Sequence, residues 1–257
     1  MISPQGGAVI IMSEVSYKAG EPISGDGPQE RDKGMLMLLC SFVMQMCHSY
    51  QRRKNDENMP YGIHPQAVAI NTLPFLRRKL DNEMARIAGL FHDIIEDCSI
   101  EEVAQCAQYW NNHFPYLAIQ PQKGWGVETY LVAMLERALE YTGYPKKVAT
   151  KVIAAVNELT VPKIQPGLYE DKAGRKKWES SYDRMSTLSP IALMSIWADK
   201  TFNLRSPIPG RDPAKEMTKY GRYFDSIITT LEERDYKTPP LPDDIKQAVE
   251  LYRQTKD

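Results

Sequence analysis

The segment Arg86–Asp97, with the sequence RIAGLFHDIIED, carries the residues of this chain that are best suited to chemistry. An apolar run leads directly into His92 and Asp93, and Glu96 and Asp97 follow after two isoleucines. Helical spacing would place His92 and Glu96 one turn apart, and likewise Asp93 and Asp97, on a largely buried helix. Buried charges are costly unless they are paired or bind a metal. The segment therefore predicts a functional site, in preference to a helix end whose acids merely face solvent.

Two further segments supply partners for this site. In YGIHPQAVA, Pro65 suits the first turn of a helix, which places His64 at or near the helix N-cap. In PIALMSIWADKTFNLR, an apolar helix face ends in Asp199, and Asn203 follows one turn later. The candidate ligands are two imidazoles and two carboxylates, each at the end of a predicted helix: His64, His92, Asp93 and Asp199. This mixed nitrogen and oxygen set suits a divalent ion such as Mn²⁺, whereas the absence of thiolates argues against structural zinc.

The elements that must position these residues are helices. Apolar residues recur at helical spacing in residues 34–51, 127–142, 145–159, 190–205, 215–233 and 245–253. No convincing series of strands is present and NDENMP is typical of a loop, so the sequence predicts an all-α fold. We expect a flexible N-terminal arm at residues 1–30 and a single domain at 31–257, with an irregular, aromatic-rich insertion near residues 104–126.

Composition limits the classes of function. The net charge of −1, with 25% charged residues, gives no sign of nucleic-acid binding, so an anionic substrate must be held by local basic groups. The four cysteines form no CxxC pair, which favours reduced thiols and a cytoplasmic location. No apolar run approaches the length of a membrane span, so no membrane partner is expected. The sequence leaves the oligomeric state open.

Three stretches in this order, RRKNDENMPYGIHPQAVA, LFHDIIED and ADKTFNLR, resemble the HD superfamily of metal-dependent phosphohydrolases. The likeness is greatest to the hydrolase domain of the RelA/SpoT family, especially its small stand-alone SpoT homologues, because Glu-Asp follows the His-Asp pair. It covers roughly residues 36–232. The resemblance implies an HD-domain helical bundle that uses Mn²⁺ to remove the 3'-pyrophosphate from (p)ppGpp, a small-molecule nucleotide, giving GDP or GTP and pyrophosphate.

The resemblance also implies roles for individual residues. The four candidate ligands would bind Mn²⁺, and Glu96 and Asp97 would orient or activate the attacking water. Arg205 would form a structural ion pair. The residues expected to contact substrate are Arg53 on the guanine ring, Lys54 near the phosphates, and Tyr61, Asn203 and Ser206 in the nucleoside pocket.

Departures from the family pattern leave alternatives open. Residues 157–160 read NELT where the family has Gly-Val-Thr, and the stretch from 98 to 157 is longer than in the small homologues. An adenosine alarmone such as ppApp, NADPH or a deoxynucleotide therefore remains an alternative substrate.

A non-enzymatic HD module would be expected to have lost a metal ligand or one of Glu96 and Asp97, and none is lost. A synthetase domain has no room in the chain, and an antitoxin-like role stays open.

Overall fold

The computed structural model describes residues 30–49, 51–53, 56–72, 79–160, 182, 184–206, 210–236, 238 and 240–256, without the side chains of 30–32, 52–53 and 56–59. Apart from Glu30, the N-terminal arm expected at residues 1–30 lies outside the described residues. Lys54 and most of the basic stretch at 160–177 lie outside them as well.

The described elements follow one another along the chain as helices with one small hairpin between the first two. They are α1 (Glu30–Cys47), β1 (Arg52–Arg53), β2 (Asp56–Pro60), α2 (Ile63–Asn71), α3 (Lys79–Phe91), α4 (Ile94–Asp97), α5 (Ile100–His113), α6 (Val127–Tyr141), α7 (Lys147–Leu159), α8 (Pro190–Arg205), α9 (Pro213–Glu233) and α10 (Asp243–Gln254). Short 3₁₀ turns lie at Pro115–Leu117 and Met185–Thr187. The all-α prediction is confirmed, and the fold is a helical bundle.

The hairpin corrects the loop predicted for NDENMP. Strands β1 and β2 pair antiparallel, and the backbone N–H of Tyr61 donates to the carbonyl of Gln51, which extends the pairing past the end of β2. Pro60 ends the strand, a position where its missing N–H removes no ladder bond from a strand interior. The hairpin connects α1 to α2 and places Tyr61 just before the start of α2.

Residues 104–113 are helical, so the irregular insertion predicted near 104–126 was wrong for this part of it. The spacing of Ser99 and Glu102 in the sequence predicts a capping box, and this box caps α5 and fixes where the helix starts. Val103, Ala107 and Trp110 then share one buried face. Trp110 belongs to the core, since it is fully buried and its indole N–H donates to a backbone carbonyl 2.9 Å away.

The continuous helix predicted for Arg86–Asp97 is interrupted at His92 and Asp93. Helix α3 ends at Phe91, His92 and Asp93 form a turn, and α4 begins at Ile94. The Nδ1 atom of His92 lies 2.7 Å from the carbonyl oxygen of Gly89. In a continuing helix, this oxygen would accept a backbone N–H from the next turn. Asp93 still lies one turn before Asp97, as predicted, because its carbonyl accepts the Asp97 backbone N–H at 2.8 Å and the Tyr61 hydroxyl contacts both carboxylates.

Helix α3 is the central element of the bundle, and α2, α7 and α8 pack against it. Met84, Ile87, Leu90 and Phe91 of α3 are buried in the main core. Gly89 allows α2 to approach closely, because a Cβ atom there would lie 3.2 Å from a methyl carbon of Val68. This close approach brings the start of α2 beside the end of α3.

Helices α9 and α10 form a tightly packed pair at the end of the chain. Ile245, Ala248 and Val249 of α10 are buried, and Ala248 faces Gly221 of α9. A Cβ atom at position 221 would coincide with the Ala248 carbonyl group, so only glycine fits this crossing. Arg205 binds Asp244 at 2.7 Å, which confirms the structural ion pair predicted for it.

None of the described helices has the length and apolarity that a membrane crossing requires.

Candidate metal centre

Three separate parts of the chain meet where α2 begins, α3 ends and α8 runs past them. His64 is the second residue of α2, His92 and Asp93 form the turn after α3, and Asp199 lies on the buried side of α8. These four residues, the candidate metal centre, are the four ligands predicted from the sequence. His64 is 5% exposed and Asp199 is 7% exposed, so the centre is largely shielded from water.

The ring nitrogens and carboxylate oxygens of the centre face one another. The Nε2 atom of His64 lies 3.1 Å from Asp199 Oδ1 and 3.7 Å from Asp93 Oδ2. The Nε2 atom of His92 lies 3.1 Å from Asp93 Oδ1 and 3.8 Å from Asp199 Oδ1. Among the described residues, His64, His92 and Asp199 can each offer one ligand atom within 4.8 Å of the others, and Asp93 borders this group.

The orientation of His92 fits a metal ligand. Its Nδ1 lies 2.7 Å from the carbonyl oxygen of Gly89, so the neutral ring carries its proton there and presents the Nε2 lone pair to the centre. That lone pair faces Asp93 Oδ1, which is also an acceptor. Two acceptors at 3.1 Å repel each other unless a proton or a cation lies between them, and without a metal the charged form of His92 supplies that proton. Ligands about 2.1 Å from one ion and at right angles are about 3 Å apart, so these separations suit a divalent cation.

Asp199 is held by two neighbours on its own helix. Lys200 lies 2.5 Å from Asp199 Oδ2, and the Asn203 amide donates to Oδ1 at 2.6 Å. The Lys200 ammonium is also 4.9 Å from the centre of the Tyr223 ring, on α9. One oxygen of Asp199 is therefore committed to a buried cation, and the other faces the two imidazoles.

Tyr61 joins the centre to α4. Its hydroxyl donates to Asp93 Oδ2 at 2.5 Å and lies 3.2 Å from Asp97 Oδ2. Burial, and after it the charge of Asp93, raises the pKa of Tyr61 far above its usual value, so the hydroxyl stays protonated and remains a donor. Tyr61 thus fixes the position of a candidate ligand relative to a candidate general base.

The charges of the centre shift one another's pKa values. Burial alone would lower the pKa of His92, but the carboxylate of Asp93 outweighs it and raises that pKa to about 9. Against the effect of burial, His92 holds the pKa of Asp93 well below its ordinary range, and Lys200 does the same for Asp199. The two carboxylates are therefore ionised at neutral pH, as metal ligands must be.

Other predicted site residues take positions around this centre or outside it. Glu96 and Asp97 lie on α4, where Glu96 is half-buried and Asp97 is exposed. Asn203, predicted to line a nucleoside pocket, donates its amide N–H to Asp199. Ser206 directly follows the last residue of α8. The backbone of Arg53 belongs to β1, its side chain is not described, and Lys54 lies outside the described residues.

Sequence reasoning missed two supports of the centre. Lys200 gave one signal, since it directly follows Asp199 on an otherwise apolar helix face. His48, interpreted from sequence as structural, is buried with its ring 4.8 Å from that of Tyr61, and its Nδ1 lies 2.8 Å from Gln51 Oε1. Gln51 also donates to the Asp97 carbonyl at 3.3 Å. The spacing of His48 and Gln51 indicates only that these two residues are neighbours. It does not indicate that Gln51 contacts Asp97, 46 residues later.

Comparison of the chain with protein family models, with curated proteins and with solved structures gives no match. The geometry of the centre, together with the sequence motifs that build it, is what bears on function.

Proposed function

We propose that this protein is a metal-dependent phosphohydrolase that releases pyrophosphate from the guanosine alarmone (p)ppGpp, with Mn²⁺ as the metal. The observation that carries the proposal is the convergence of two imidazole Nε2 atoms with two carboxylates, at separations of 3.1 to 3.8 Å, beside Glu96 and Asp97. A purely structural cluster would have no need of further carboxylates on the adjacent, more exposed helix.

Each residue of the site has a defined task in such a reaction. The candidate metal centre would hold the ion, and Mn²⁺ bound there would lower the pKa of water and offset the charge on the phosphoryl group. Asp97, oriented by Tyr61, would accept a proton from the attacking water, and Glu96 would orient that water. Lys200 and Asn203 would keep Asp199 facing the imidazoles.

The choice of substrate is supported by the three stretches that resemble the RelA/SpoT hydrolases. Residues of all three, represented by His64, His92 and Asp199, lie within reach of one ion although they are far apart in the sequence. Tyr61 connects the stretch that carries the Arg53-Lys54 pair to the centre. Those two basic residues would meet the base and the phosphates of a nucleotide.

The test is pyrophosphate release from ppGpp by the purified protein, with Mn²⁺ and after chelation. We expect release that requires the metal and is lost in an Asp97→Asn variant that still binds Mn²⁺. Asp243→Asn, which removes an exposed carboxylate on α10, is the matched control and should retain activity.

A parallel series with ppApp, NADPH and a deoxynucleoside triphosphate separates the substrate from the chemistry. Hydrolysis of one of these but not of ppGpp would overturn the assignment of a guanosine substrate, but it would support the proposed phosphohydrolase activity. Full Mn²⁺ binding without hydrolysis of any of them would overturn the enzymatic proposal.

A further inference from the structure

A cleft of about 380 Å³ lies between α9 and α10, and none of the four candidate ligands lines it. Its described lining residues are Ala214, Lys215, Thr218, Lys219, Arg222, Tyr252 and Thr255. Three of the seven are cations and none is an acid. The cleft therefore has a single sign of charge, unlike the candidate metal centre.

The cations line up because of helical spacing. Lys215, Lys219 and Arg222 are four and three residues apart, so they share one face of α9 that looks towards the end of α10. The hydroxyl groups of Thr218 and Thr255 each donate to a backbone carbonyl of their own helix. The charged groups that the described lining offers to a ligand are therefore the three cationic side chains.

Acids among the described residues compensate only part of the charge of the two lysines. Glu216 is shared between Arg211 at 3.3 Å and Lys219 at 3.5 Å. Lys215 is exposed and has no ion pair within the described part of the chain. Burial lowers the pKa of Lys219, and the neighbouring cations Arg211 and Lys200 add to the effect despite Glu216. Cations crowded in this way gain from an anion placed among them.

Arg222 is held in place before any ligand binds. Its guanidinium lies over the ring of Tyr182 at 4.1 Å, and the Tyr182 ring in turn packs at a tilt of 44° against that of Tyr223, with the ring centres 4.4 Å apart. A planar guanidinium fixed on an aromatic face loses little freedom when its N–H groups bind the paired oxygens of a phosphate. The two lysines add point charges that do not depend on direction.

We propose that the cleft between α9 and α10 is a binding site for a small polyphosphate anion, separate from the metal centre. Three cations in one cleft suit a ligand with several negative charges better than a single carboxylate. The volume falls in the range of small-molecule sites, and the chain's net charge of −1 does not favour a nucleic acid. Inorganic pyrophosphate is the simplest member of this ligand class.

Calorimetric titration of pyrophosphate into metal-free protein tests the site, because this binding needs neither Mn²⁺ nor hydrolysis. We expect saturable binding that weakens as salt is added. Lys215→Ala and Arg222→Ala should each weaken it about tenfold, since each removes one charge-assisted contact. Lys151→Ala, at an exposed lysine on α7, is the matched control and should bind as the parent protein does.

The conservative change Lys215→Arg should keep the affinity, because it keeps the charge. Circular dichroism of each variant shows whether it is folded, and only folded variants are compared. Absence of saturable binding in the parent protein, or unchanged affinity in both alanine variants, would overturn the proposal. Since the assay is metal-free, failure of the proposed hydrolase activity would leave the result unaffected.

Discussion

The candidate metal centre and the cleft between α9 and α10 collect charge in opposite ways. The centre packs carboxylates against imidazoles and Lys200, with the Asp93 and Asp199 side chains 18% and 10% exposed. The cleft gathers cations alone and stays open to water, with Lys215 exposed. In the centre, carboxylates are paired with imidazoles and a lysine, so opposite charges offset one another. The described lining of the cleft has cations and no acid, so a bound anion could offset their charge.

This difference predicts how the two regions respond to substitution. A charge that has lost its hydration depends on its partners, so removal of one partner is expensive. A charge in contact with water is screened and contributes little alone. Single substitutions should therefore have large effects at the centre and graded effects near the cleft.

The largest effect is expected for Asp199→Asn. This change removes a candidate ligand and leaves Lys200 buried without its partner carboxylate. We expect Mn²⁺ affinity to fall at least about a hundredfold and the free energy of unfolding to drop by about 3 kcal/mol. Isothermal titration of Mn²⁺ and urea denaturation measure the two quantities.

The double variant Asp199→Asn, Lys200→Met is the matched control for this prediction. It removes the stranded charge, so stability should return towards that of the parent protein while metal affinity stays low. Parent-like metal binding by the single variant would contradict the contrast between the two regions.

The next effect separates chemistry from metal binding. Glu96→Gln should lower turnover about a hundredfold, because the attacking water loses the carboxylate that orients it, while Mn²⁺ affinity changes little. Glu101→Gln, in the first turn of the neighbouring helix α5, is a control at an exposed glutamate. Equal loss of metal affinity and turnover would show that Glu96 belongs to the ligand set instead.

A smaller effect is expected for Tyr61→Phe, which keeps the ring and removes the hydroxyl bound to Asp93 and Asp97. Loss of a group that orients a ligand typically costs about tenfold or more in metal affinity or activity. Tyr116→Phe, at a residue 64% exposed, should leave both unchanged. An unaffected Tyr61→Phe variant would mean that Asp93 and Asp97 hold their positions without it.

The smallest effect concerns Asp225, beneath the end of α10. Burial would raise its pKa, but Lys256 at 3.0 Å and Arg253 at 2.8 Å outweigh this and lower it. A carboxyl group whose folded pKa is depressed stabilises the fold above its unfolded pKa, and this stability is lost as pH falls through the folded pKa.

Thermal melts from neutral to acidic pH measure this contribution. The parent protein should lose stability below the ordinary aspartate pKa more steeply than Asp225→Asn does. The difference at neutral pH should amount to a few degrees at most, because both cations are more than half exposed. An identical acidic limb in the two proteins would contradict the prediction.

The helices and the four candidate ligands could be predicted because each depends on local pattern. Apolar periodicity gave α8 with its bounds of Pro190 and Arg205, and the Ser99 capping box gave the start of α5. The candidate ligands could be predicted because they stand at the ends of apolar runs. A carboxylate on a buried helix is costly unless it is paired or binds a metal.

What sequence reasoning could not provide depends on contacts between distant segments. The break after Phe91 follows from the His92 ring binding the Gly89 carbonyl, a choice that periodicity does not encode. The contact of Gln51 with Asp97 spans 46 residues, and no local pattern encodes it. The stretch at 104–113 was misread although Cys106, Ala107 and Trp110 stand at helical spacing, because its helical part was grouped with the prolines and glycines that follow His113.

Gly221 shows that a strong response to mutation need not indicate a functional residue. A methyl group at this position would overlap the Ala248 carbonyl and force α10 away from α9. In a saturation mutagenesis screen scored by activity, Gly221 would therefore stand out as sharply as a metal ligand. Scoring the same library for protein abundance would separate the two classes, because Gly221 variants would disappear from it while variants of surface-facing positions with a proposed catalytic role, such as Asp97, would persist.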